Sequence, residues 1–467
     1  MKKIILTATE KISGEVLIPP SKSYTNRALI IASLTEGKVK IINPLISDDT
    51  RAMIDCLKEL GIEIQEEEDL VRVIGSVKDI KDKEYKLNTK LSGTTIRFLL
   101  ALCCVVPGKK IIQGEESLNK RPIGELAGAL KDLGAKIEYL NKPGYPPLKI
   151  DSNKLTSTYT RLHGDISSQF FSALLMIAPF IGGLEIDVIG NQISKPYIDM
   201  TIDLMNYFGV KVINENYKKY LIEGKQNYSK KDYIVEGDYS SAGYFLAIAT
   251  LKNSQLRLKN LSKDSKQADK NFLKILESIG SEIKFEGNDL VISGHGVKPV
   301  NIDMENCPDQ VQTMAVLLAF AKGKSIITGV RSLRIKETER VLALQNELSK
   351  MGIKTKSTID TLTIYGGNPK AAEINTYNDH RMAMAFAVAA TELEVEAFEF
   401  LATIAETSSI IAFFCLSLSA LNASNCSRKE VFCCFKSSIC FCMEVSSVFN
   451  PAVSSLREDI CPSRTST

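Results

Sequence analysis

Apolar and polar positions along this chain follow a long repeat, and its clearest mark is a recurring helix ending. Five apolar helical patterns stop at Gly61, Gly134, Gly209, Gly280 and Gly352, and a strand-like alternation follows each one. These glycines lie 73, 75, 71 and 72 residues apart. Glycine adopts the left-handed conformation that ends many helices, and a period of this length is typical of an α/β supersecondary unit. The pattern therefore predicts a chain of α/β repeats.

Small and polar residues also open an apolar helical pattern six times, out of phase with the glycines. These openings fall at steps of 70 to 73 residues, at Ser21, Ser92, Asp165, Asp238, Asp309 and Asp379. A helix N-terminus offers unpaired N–H groups and the positive end of the helix dipole. Six converging N-termini would form a cleft suited to polyanions. Each opening taken alone is better explained as an ordinary N-cap; cations close to several of them favour the cleft.

The repeats divide the chain into segments. Residues 1–19 are predicted to form a short hairpin, residues 20–235 hold three repeats, and residues 236–375 hold two more. Asp379 starts a sixth repeat, but no glycine ends a helix near residue 424, where the period predicts one. We therefore expect the sixth unit to be incomplete. At 467 residues the chain is too long for one ordinary core, so two domains are expected.

Composition changes after about residue 400. Seven of the eleven cysteines lie beyond residue 410 amid dense serine, and glycine is absent beyond Gly367. We predict that residues 401–467 are an anomalous Cys/Ser-rich tail outside the repeat fold, and we favour a frameshift or a misjoined reading frame as its origin. A disulfide module and a metal site using Cys433, Cys434, Cys440 and Cys442 are the alternatives.

Charge and composition restrict the class of partner. A net charge of +3 is nearly neutral, so neither nucleic acid nor membrane is an expected partner. No uninterrupted apolar run reaches the roughly 18 residues of a membrane helix, and the apolar run at the start is too short for a signal peptide. Four cysteines through residue 410 are typical of a reduced, cytoplasmic protein. The three histidines share no ligand spacing, so no metal is expected.

Cationic residues stand in several motifs that could hold an anion. Lys22 and Arg27 lie in the first turns of one apolar helix, and Lys22 at a helix start is costly unless an anion sits there. Gly93 allows close approach of a ligand to the backbone, and Arg121 could hold a carboxylate in a bidentate way.

Two later motifs have plainer alternatives. Lys336 and Arg340 are four residues apart, so both could face one anion if the segment is helical. Taken alone, that spacing is better explained by a solvated helix face with internal ion pairs. Asp379-His380-Arg381 precedes an abruptly apolar run. A well-capped buried helix with an ordinary surface histidine is the simpler interpretation there.

Seven motifs together resemble one known family. Ser-Lys-Ser-Tyr-Thr-Asn-Arg, Ser-Gly-Thr-Thr-Ile-Arg, Lys-Arg-Pro-Ile, Gly-Asp-Ile-Ser-Ser-Gln-Phe, Ser-Lys-Pro-Tyr, Arg-Ile-Lys-Glu-Thr-Glu-Arg and Tyr-Asn-Asp-His-Arg-Met-Ala-Met occur in the order of the 3-phosphoshikimate 1-carboxyvinyltransferase (EPSP synthase) family. The resemblance covers about residues 5–393. It implies an inside-out α/β fold of two domains, each with three βαβαββ units whose helices pack inside and whose sheets lie outside. It also implies that the N-terminal strands complete the sixth unit, which gives domain I as residues 1–19 and 236–400 and domain II as residues 20–235.

The resemblance implies an enzyme that transfers the enolpyruvyl group of phosphoenolpyruvate to 3-phosphoshikimate without a metal or other cofactor. Asp309 and Glu337 match the acid/base pair, and Lys22 is expected to contribute to catalysis. The residues matched to 3-phosphoshikimate are Lys22, Ser23, Arg27, Ser167, Ser168, Gln169, Ser194, Tyr197, Asp309 and Lys336. The residues matched to phosphoenolpyruvate are Lys22, Gly93, Thr94, Arg121, Gln169, Arg340 and Arg381. We expect a cytoplasmic monomer with these two small-molecule substrates.

The sequence departs from the family pattern at three places. Leu91 stands where the family usually has Asn, and Ser332 replaces a common Asn beside the 3-phosphoshikimate site. The late motif whose lysine pairs with phosphoenolpyruvate has no counterpart after Met384, and Lys429 and Lys436 lack its proline context.

Three alternatives follow from these observations. An impaired, ligand-binding relic of the enzyme is one, because the late lysine is missing. A UDP-N-acetylglucosamine enolpyruvyltransferase shares the fold, but its loop cysteine has no counterpart between Val105 and Pro122. A nucleic-acid-binding protein ranks last, given the near-neutral charge and sparse aromatic residues.

Overall fold

The computed structural model describes residues 2–6, 12–151, 154–287, 289–393 and 395–399. The predicted Cys/Ser-rich tail, residues 401–467, lies outside the described residues. Within the described part, 23 strands and twelve α-helices alternate along the chain. No helix of this part combines the length and the apolar character needed to cross a membrane.

The α-helices are α1 (Lys22–Leu34), α2 (Asp48–Glu59), α3 (Gly93–Cys103), α4 (Glu116–Asn119), α5 (Gly124–Asp132), α6 (Ser168–Ile177), α7 (Lys195–Tyr207), α8 (Tyr239–Leu251), α9 (Phe272–Ser278), α10 (Val311–Phe320), α11 (Arg340–Lys350) and α12 (His380–Ala389). Short 3-10 turns cover Val77–Asp79, Ala178–Ile181, Ala268–Asn271, Pro308–Gln310 and Arg331–Ile335.

The strands are β1 (Lys2–Leu6), β2 (Ser13–Leu17), β3 (Val39–Ile42), β4 (Ile64–Glu67), β5 (Leu70–Val73), β6 (Glu84–Asn88), β7 (Lys109–Gln113), β8 (Ile137–Tyr139), β9 (Leu148–Ile150), β10 (Tyr159–His163), β11 (Leu184–Ile189), β12 (Ile213–Glu215), β13 (Lys219–Ile222), β14 (Asp232–Ile234), β15 (Gln255–Lys259), β16 (Glu282–Glu286), β17 (Asp289–Ser293), β18 (Asn301–Asp303), β19 (Gly323–Thr328), β20 (Lys354–Ser357), β21 (Thr361–Gly366), β22 (Ala372–Asn375) and β23 (Val395–Glu399).

The five predicted helix endings are present. Gly61, Gly134, Gly209, Gly280 and Gly352 have φ of 97°, 104°, 95°, 114° and 79°, and strands β4, β8, β12, β16 and β20 follow them. A residue with a Cβ is strained at such angles, which is why glycine recurs with the period of the fold.

Each repeat builds one small mixed sheet. In the sheet β6-β7-β9-β8, the pair β6–β7 is parallel and the other two pairs are antiparallel. The sheets β10-β11-β13-β12 and β18-β19-β21-β20 repeat this order. Parallel strands need a crossover, and helices α3, α6 and α10 provide it in these three repeats.

The first and fourth sheets are closed by distant strands. Strand β14 pairs in parallel with β3, so the end of the third repeat returns to the first. Strand β2 pairs in parallel with β15, and β1 pairs antiparallel with β23 in a sheet of order β1-β23-β22. The predicted hairpin of residues 1–19 is therefore wrong, because β1 and β2 join different sheets. Strand β1 does contribute to the sixth unit, as the family resemblance implied.

Two groups of three helices are buried at the centres of two apolar clusters. Helices α1, α3 and α6 pack together in one cluster, which draws its residues from Tyr24 to Val235. Helices α8, α10 and α12 pack in the other, which combines Ile12, Val16 and Ile18 with residues from Tyr239 to Ala390. A helix that is apolar on nearly all sides is stable only when other elements surround it, and the sheets supply that cover.

The chain passes between the clusters twice, at adjacent points. Ser21 donates its N–H to the carbonyl of Glu236 at 2.8 Å, and Asp238 donates its N–H to the carbonyl of Pro19 at 2.8 Å. The starts of helices α1 and α8 are therefore held side by side.

We predict opposite effects for alanine at two glycines with open surroundings. Gly128 lies inside helix α5 and Gly61 lies at a left-handed helix ending, and at both positions an added Cβ would meet no neighbouring group within 4 Å. Gly128→Ala should stabilise the protein by about 0.5–1 kcal/mol, and Gly61→Ala should destabilise it by about 1–2 kcal/mol. Urea unfolding midpoints check both. Equal shifts for the two variants would contradict the left-handed ending at Gly61.

Candidate active site

A polar cavity of about 160 Å³ lies between the two apolar clusters. Every site residue predicted from the sequence contributes to its wall: Lys22, Ser23, Arg27, Gly93, Thr94, Arg121, Ser167, Ser168, Gln169, Ser194, Tyr197, Asp309, Lys336, Glu337, Arg340 and Arg381. Seven cationic side chains line the cavity against three carboxylates, which gives a net charge of +4. The cavity is thus suited to small anions with several charges.

Helix N-termini deliver many of these side chains. Helices α1, α3, α6 and α12 begin at the wall, and Asp309 reaches it from the turn that precedes α10. The helix-start side chains of Ser92, Ser167 and Asp379 accept backbone N–H groups at 3.2, 3.3 and 2.9 Å. The predicted convergence of all six starts is wrong in one respect. Helix α8 begins behind the wall, where its Ser240 Oγ lies 3.5 Å from Arg381 Nη2.

Asp309 is surrounded by three donors. Its Oδ2 accepts from Arg381 Nη2 at 2.9 Å and from the Tyr197 hydroxyl at 3.1 Å, and its Oδ1 lies 3.4 Å from Arg340 Nη1. Burial by itself would raise the pKa of Asp309, but the charges of Arg381, Lys336 and Arg340 hold that pKa below its usual range. Asp309 is therefore ionised and fixed in orientation.

Arg340 connects three carboxylates. It is 1% exposed, and its Nε donates to Asp379 at 2.7 Å while Nη2 lies 2.7 Å from Glu337 and 3.2 Å from Asp379. A guanidinium has five N–H groups. Together with the contact to Asp309, these interactions leave one N–H of Nη1 for a ligand, as far as the described residues show. Burial opposes the charge of Arg340, but the three carboxylates raise its pKa above the ordinary value.

The segment from Lys336 to Arg340 is not helical, so the condition attached to their spacing of four residues is not met. A 3-10 turn ends at Ile335, Lys336 has extended backbone, and helix α11 begins only at Arg340. Both side chains still line the cavity because the loop between the turn and the helix folds over it. Burial lowers the pKa of Lys336.

Glu337 joins the two halves of the cavity. Its Oε1 lies 3.3 Å from Arg121 Nη1. Arg121 lies on the other side of the cavity, next to the opposite apolar cluster. Burial would raise the pKa of Glu337, but Arg340 and Arg121 lower it well below its usual range. The side chain is 34% exposed, so solvent weakens these ion pairs.

Lys22 is held by a carboxylate that the sequence did not single out. Asp49, near the start of helix α2, lies 2.8 Å from Lys22 Nζ and lines the cavity. Burial would raise the pKa of Asp49, and the charge of Lys22 more than offsets this effect. In the sequence Asp49 follows Ser47 and Asp48, a run that is typical of an ordinary helix cap, so no local signal distinguished it.

His380 is a half-buried residue of the cavity wall and is not an ordinary surface histidine. Burial, with the nearby charges of Lys22 and Arg381, lowers its pKa to about 4. The imidazole is therefore neutral near pH 7. The surface interpretation of this residue was wrong because helix α12 points its first turn at the cavity.

Arg97, another residue of the cavity wall, orients Gln169. Its guanidinium donates to Gln169 Oε1, and Gln169 Nε2 donates to the Thr94 hydroxyl at 3.2 Å. Burial lowers the pKa of Arg97 to about 9, and the adjacent charge of Arg121 acts in the same direction. Its place near a helix start was visible in the sequence, but its role toward Gln169 was not.

Most N–H groups of Arg27 form hydrogen bonds within the protein. It donates to the Thr201 hydroxyl at 2.8 Å, to the Ser23 carbonyl at 2.9 Å and to the Tyr197 carbonyl at 3.1 Å. Burial lowers its pKa to about 10, so it stays charged near pH 7. These bonds tie helices α1 and α7 together at the edge of the cavity, where Ser194 has a left-handed φ of 52° before α7 begins.

Comparison with known proteins assigns the chain to a family. A family model described as EPSP synthase (3-phosphoshikimate 1-carboxyvinyltransferase) matches residues 6–404. The chain belongs to the EPSP synthase family. It is 42% identical over 398 residues to a Sulfurovum sp. protein named 3-phosphoshikimate 1-carboxyvinyltransferase, with 84% of this chain and 93% of the relative covered. A protein of the same name from Colwellia psychrerythraea is 41% identical over 396 residues, with the same two coverages.

A solved structure shows the same fold. EPSP synthase from Acinetobacter baumannii matches with a TM-score of 0.73 at 22% sequence identity, and the match covers 91% of this chain and 98% of the other. The predicted α/β fold class is therefore confirmed. Two of the departures from the EPSP synthase pattern lie in the cavity wall, since Leu91 and Ser332 both line it and Leu91 is 39% exposed.

Gly93 makes room for Arg121. A Cβ at Gly93 would lie 2.6 Å from Arg121 Nη1 and 3.0 Å from its Cζ. The sequence suggested that a ligand needs this space; in the structure the arginine occupies it.

We predict that Gly93→Ala displaces the Arg121 guanidinium and weakens binding of phosphoenolpyruvate, which the family resemblance places against Arg121. The loss of one charge-assisted contact of about 1.5–3 kcal/mol corresponds to an increase in the KM for phosphoenolpyruvate of roughly tenfold or more. Steady-state kinetics measure it. Gly128→Ala, in open space on helix α5, serves as the control and should leave this KM unchanged. A wild-type KM in Gly93→Ala would show that Arg121 does not hold this substrate.

Proposed function

We propose that this chain is a 3-phosphoshikimate 1-carboxyvinyltransferase, which transfers the enolpyruvyl group of phosphoenolpyruvate to the 5-hydroxyl of 3-phosphoshikimate and releases phosphate. The observation that carries the proposal is the cavity of net charge +4 that gathers all sixteen predicted site residues. Both substrates carry a carboxylate and a phosphate, so their charges match this wall. The names of the relatives support the same reaction.

In this proposal 3-phosphoshikimate binds against the starts of helices α1, α6 and α7, where Ser23, Ser168 and Tyr197 lie. Arg27, Ser167, Gln169, Ser194 and Lys336 complete that side. Phosphoenolpyruvate lies toward helices α3 and α12, among Lys22, Gly93, Thr94, Arg121, Gln169, Arg340 and Arg381. The starts of the helices add N–H groups and the positive ends of their dipoles on both sides.

Asp309 is the proposed base. As it takes the proton of the 5-hydroxyl, the oxygen attacks the second carbon of phosphoenolpyruvate, and the methylene carbon gains a proton to become a methyl group. Lys22 supplies that proton, since Glu337, the other residue matched to the acid/base pair, is ionised beside Arg340 and Arg121. The tetrahedral intermediate then loses phosphate while the methyl group gives up a proton, which restores the double bond. The cations of the cavity stabilise the carboxylate and phosphate charges throughout.

We further propose that the two apolar clusters are the cores of two domains, residues 1–19 with 236–400 and residues 20–235. The separate composition of the clusters and the two adjacent chain passages support this division. The cavity would then open and close by movement of one domain against the other. The enzyme is proposed to act as a monomer.

The decisive assay uses the purified full chain with both substrates. We expect phosphate release only when phosphoenolpyruvate and 3-phosphoshikimate are present together, and none when UDP-N-acetylglucosamine replaces 3-phosphoshikimate. Binding of 3-phosphoshikimate, seen by calorimetry, without phosphate release would instead support an inactive, ligand-binding relic that lacks the late lysine.

A substitution at Asp309 tests its role. Asp309→Asn keeps the size of the side chain but cannot accept a proton, so kcat should fall about 10²- to 10⁴-fold, while 3-phosphoshikimate should still bind with an affinity within about tenfold of the wild type. Glu305→Gln, a carboxylate change four residues earlier and outside the cavity wall, is the control and should leave kcat unchanged. Full turnover by Asp309→Asn would remove Asp309 from the role of base.

A further inference from the structure

A second carboxyl group lies behind the cavity wall. Asp269 is on the 3-10 turn Ala268–Asn271, which packs against helices α7 and α8 and against the turn that carries Asp309. It is 3% exposed. Its Oδ2 accepts the Ser240 hydroxyl, and its Oδ1 is buried without a hydrogen-bond partner among the described residues. An ionised carboxylate is costly in such surroundings, because one of its oxygens lacks a donor.

Asp269 is linked to Asp309 through two side chains. Ser240 Oγ, whose hydroxyl points to Asp269, lies 3.5 Å from Arg381 Nη2. The same Nη2 donates to Asp309 Oδ2 at 2.9 Å. One guanidinium therefore lies between two carboxyl groups, in direct contact with one and linked to the other by a hydroxyl.

The charged and titratable groups that interact with Asp269 come from the region of the turn Pro308–Gln310 and from helices α7, α8 and α12. They are Asp309 and Cys307 beside the turn Pro308–Gln310, Arg381 on helix α12, Asp238 at the start of helix α8 and Tyr197 on helix α7. Lys270 is its neighbour in the chain. Arg381 is the cation among these facing groups that lowers the pKa of Asp269.

The surroundings shift the pKa values of Asp269 and Asp309 in opposite directions. Burial, followed by the negative charge of Asp309, raises the pKa of Asp269 to about 7. Burial also acts on Asp309, but Arg381, Lys336 and Arg340 hold its pKa below the ordinary range. A carboxylate with so low a pKa is a weak base. Any change that weakens the electrostatic interaction of Arg381 with Asp309 makes Asp309 a stronger base.

We propose that Asp269 is a positioning residue that sets the basicity of Asp309 through Ser240 and Arg381. When Asp269 is ionised, its negative charge attracts the guanidinium of Arg381 and repels the carboxylate of Asp309. Asp309 then accepts a proton more readily. When Asp269 is protonated, Arg381 acts on Asp309 alone. The inference rests on the proposed function, since it needs Asp309 as the base.

The test is the pH dependence of kcat in the full chain, from about pH 5 to about pH 9. In the wild type, kcat should rise through a pH near 7 as Asp269 ionises. Asp269→Asn imitates the protonated acid at every pH, so its rise near pH 7 should disappear. Its kcat should match the wild type below the rise and be about three- to tenfold lower above it. The KM values of both substrates should stay within about twofold.

Two further variants sharpen the test. Asp264→Asn changes an exposed carboxylate five residues earlier and should leave the profile unchanged. Ser240→Ala removes the donor to Asp269, which raises the pKa of that acid further, and it also removes the hydroxyl between Asp269 and Arg381. The rise in kcat should therefore move to higher pH and become smaller.

Three results would overturn the inference. The rise near pH 7 could persist in Asp269→Asn, which would assign it to another group. The kcat of Asp269→Asn could fall by the same factor at every pH together with a lower Tm, which would make Asp269 a purely structural residue. If the wild type has no turnover, the proposed function fails. The link between Asp269 and Asp309 is then tested by following the carboxyl-carbon NMR signal of Asp309 in aspartate-labelled protein as the pH changes. In the wild type, the Asp309 carboxyl signal should shift as the pH passes through about 7 and Asp269 ionises. This shift should be absent in Asp269→Asn, and a wild-type Asp309 signal that does not change near pH 7 would refute the link.

Discussion

The burial of Arg340 is the constraint on which the cavity depends. Its guanidinium is 1% exposed and is compensated by Asp309, Glu337 and Asp379, which come from three separate segments. A buried charge that loses its partner costs about 3–5 kcal/mol, so these segments must stay together for the fold to be stable. The same ion pairs lower the pKa values of Asp309 and Glu337. The cavity therefore gains fixed, ionised carboxylates, and their basicity depends on how the surrounding cations are shared.

Much of the fold could be predicted from the sequence because its signals are local. A glycine in the left-handed conformation ends five helices, and short polar side chains cap the buried apolar helices α3, α6, α8 and α12. Both signals need only a few neighbouring residues. The cavity residues followed from family motifs, and the period of the repeat brings those motifs to one place. Gly93 shows the limit of this reasoning, since it lies in the cavity wall but its neighbour in the structure is Arg121.

The wrong and missed predictions mostly concern contacts between residues far apart in the chain. Strands β1 and β2 are close in sequence, and their partners β23 and β15 lie more than 200 residues away. Nothing in residues 1–19 indicates those partners. Three further roles also depend on residues remote in sequence. Asp49 pairs with Lys22, and Arg97 donates to Gln169. His380 lies in a cavity wall to which many distant segments contribute. The loop at Lys336 is a different case, because a spacing of four residues suits a helix and the chain instead unwinds there.

The distribution of charge between the two halves explains why closure of the cavity should depend on its ligands. Arg121 and Glu337 approach to 3.3 Å across the cavity, and the Tyr197 hydroxyl donates to Asp309 at 3.1 Å across the same gap. These two contacts are attractive, but the wall as a whole carries a net charge of +4, and its cations come from both halves. Like charges repel more strongly as water is excluded between them. In the proposed closure, an empty cavity would therefore be destabilised by repulsion that anionic substrates remove. Two substrates with a carboxylate and a phosphate each would neutralise both walls, so the water-excluding arrangement becomes favourable when the reacting groups are present together.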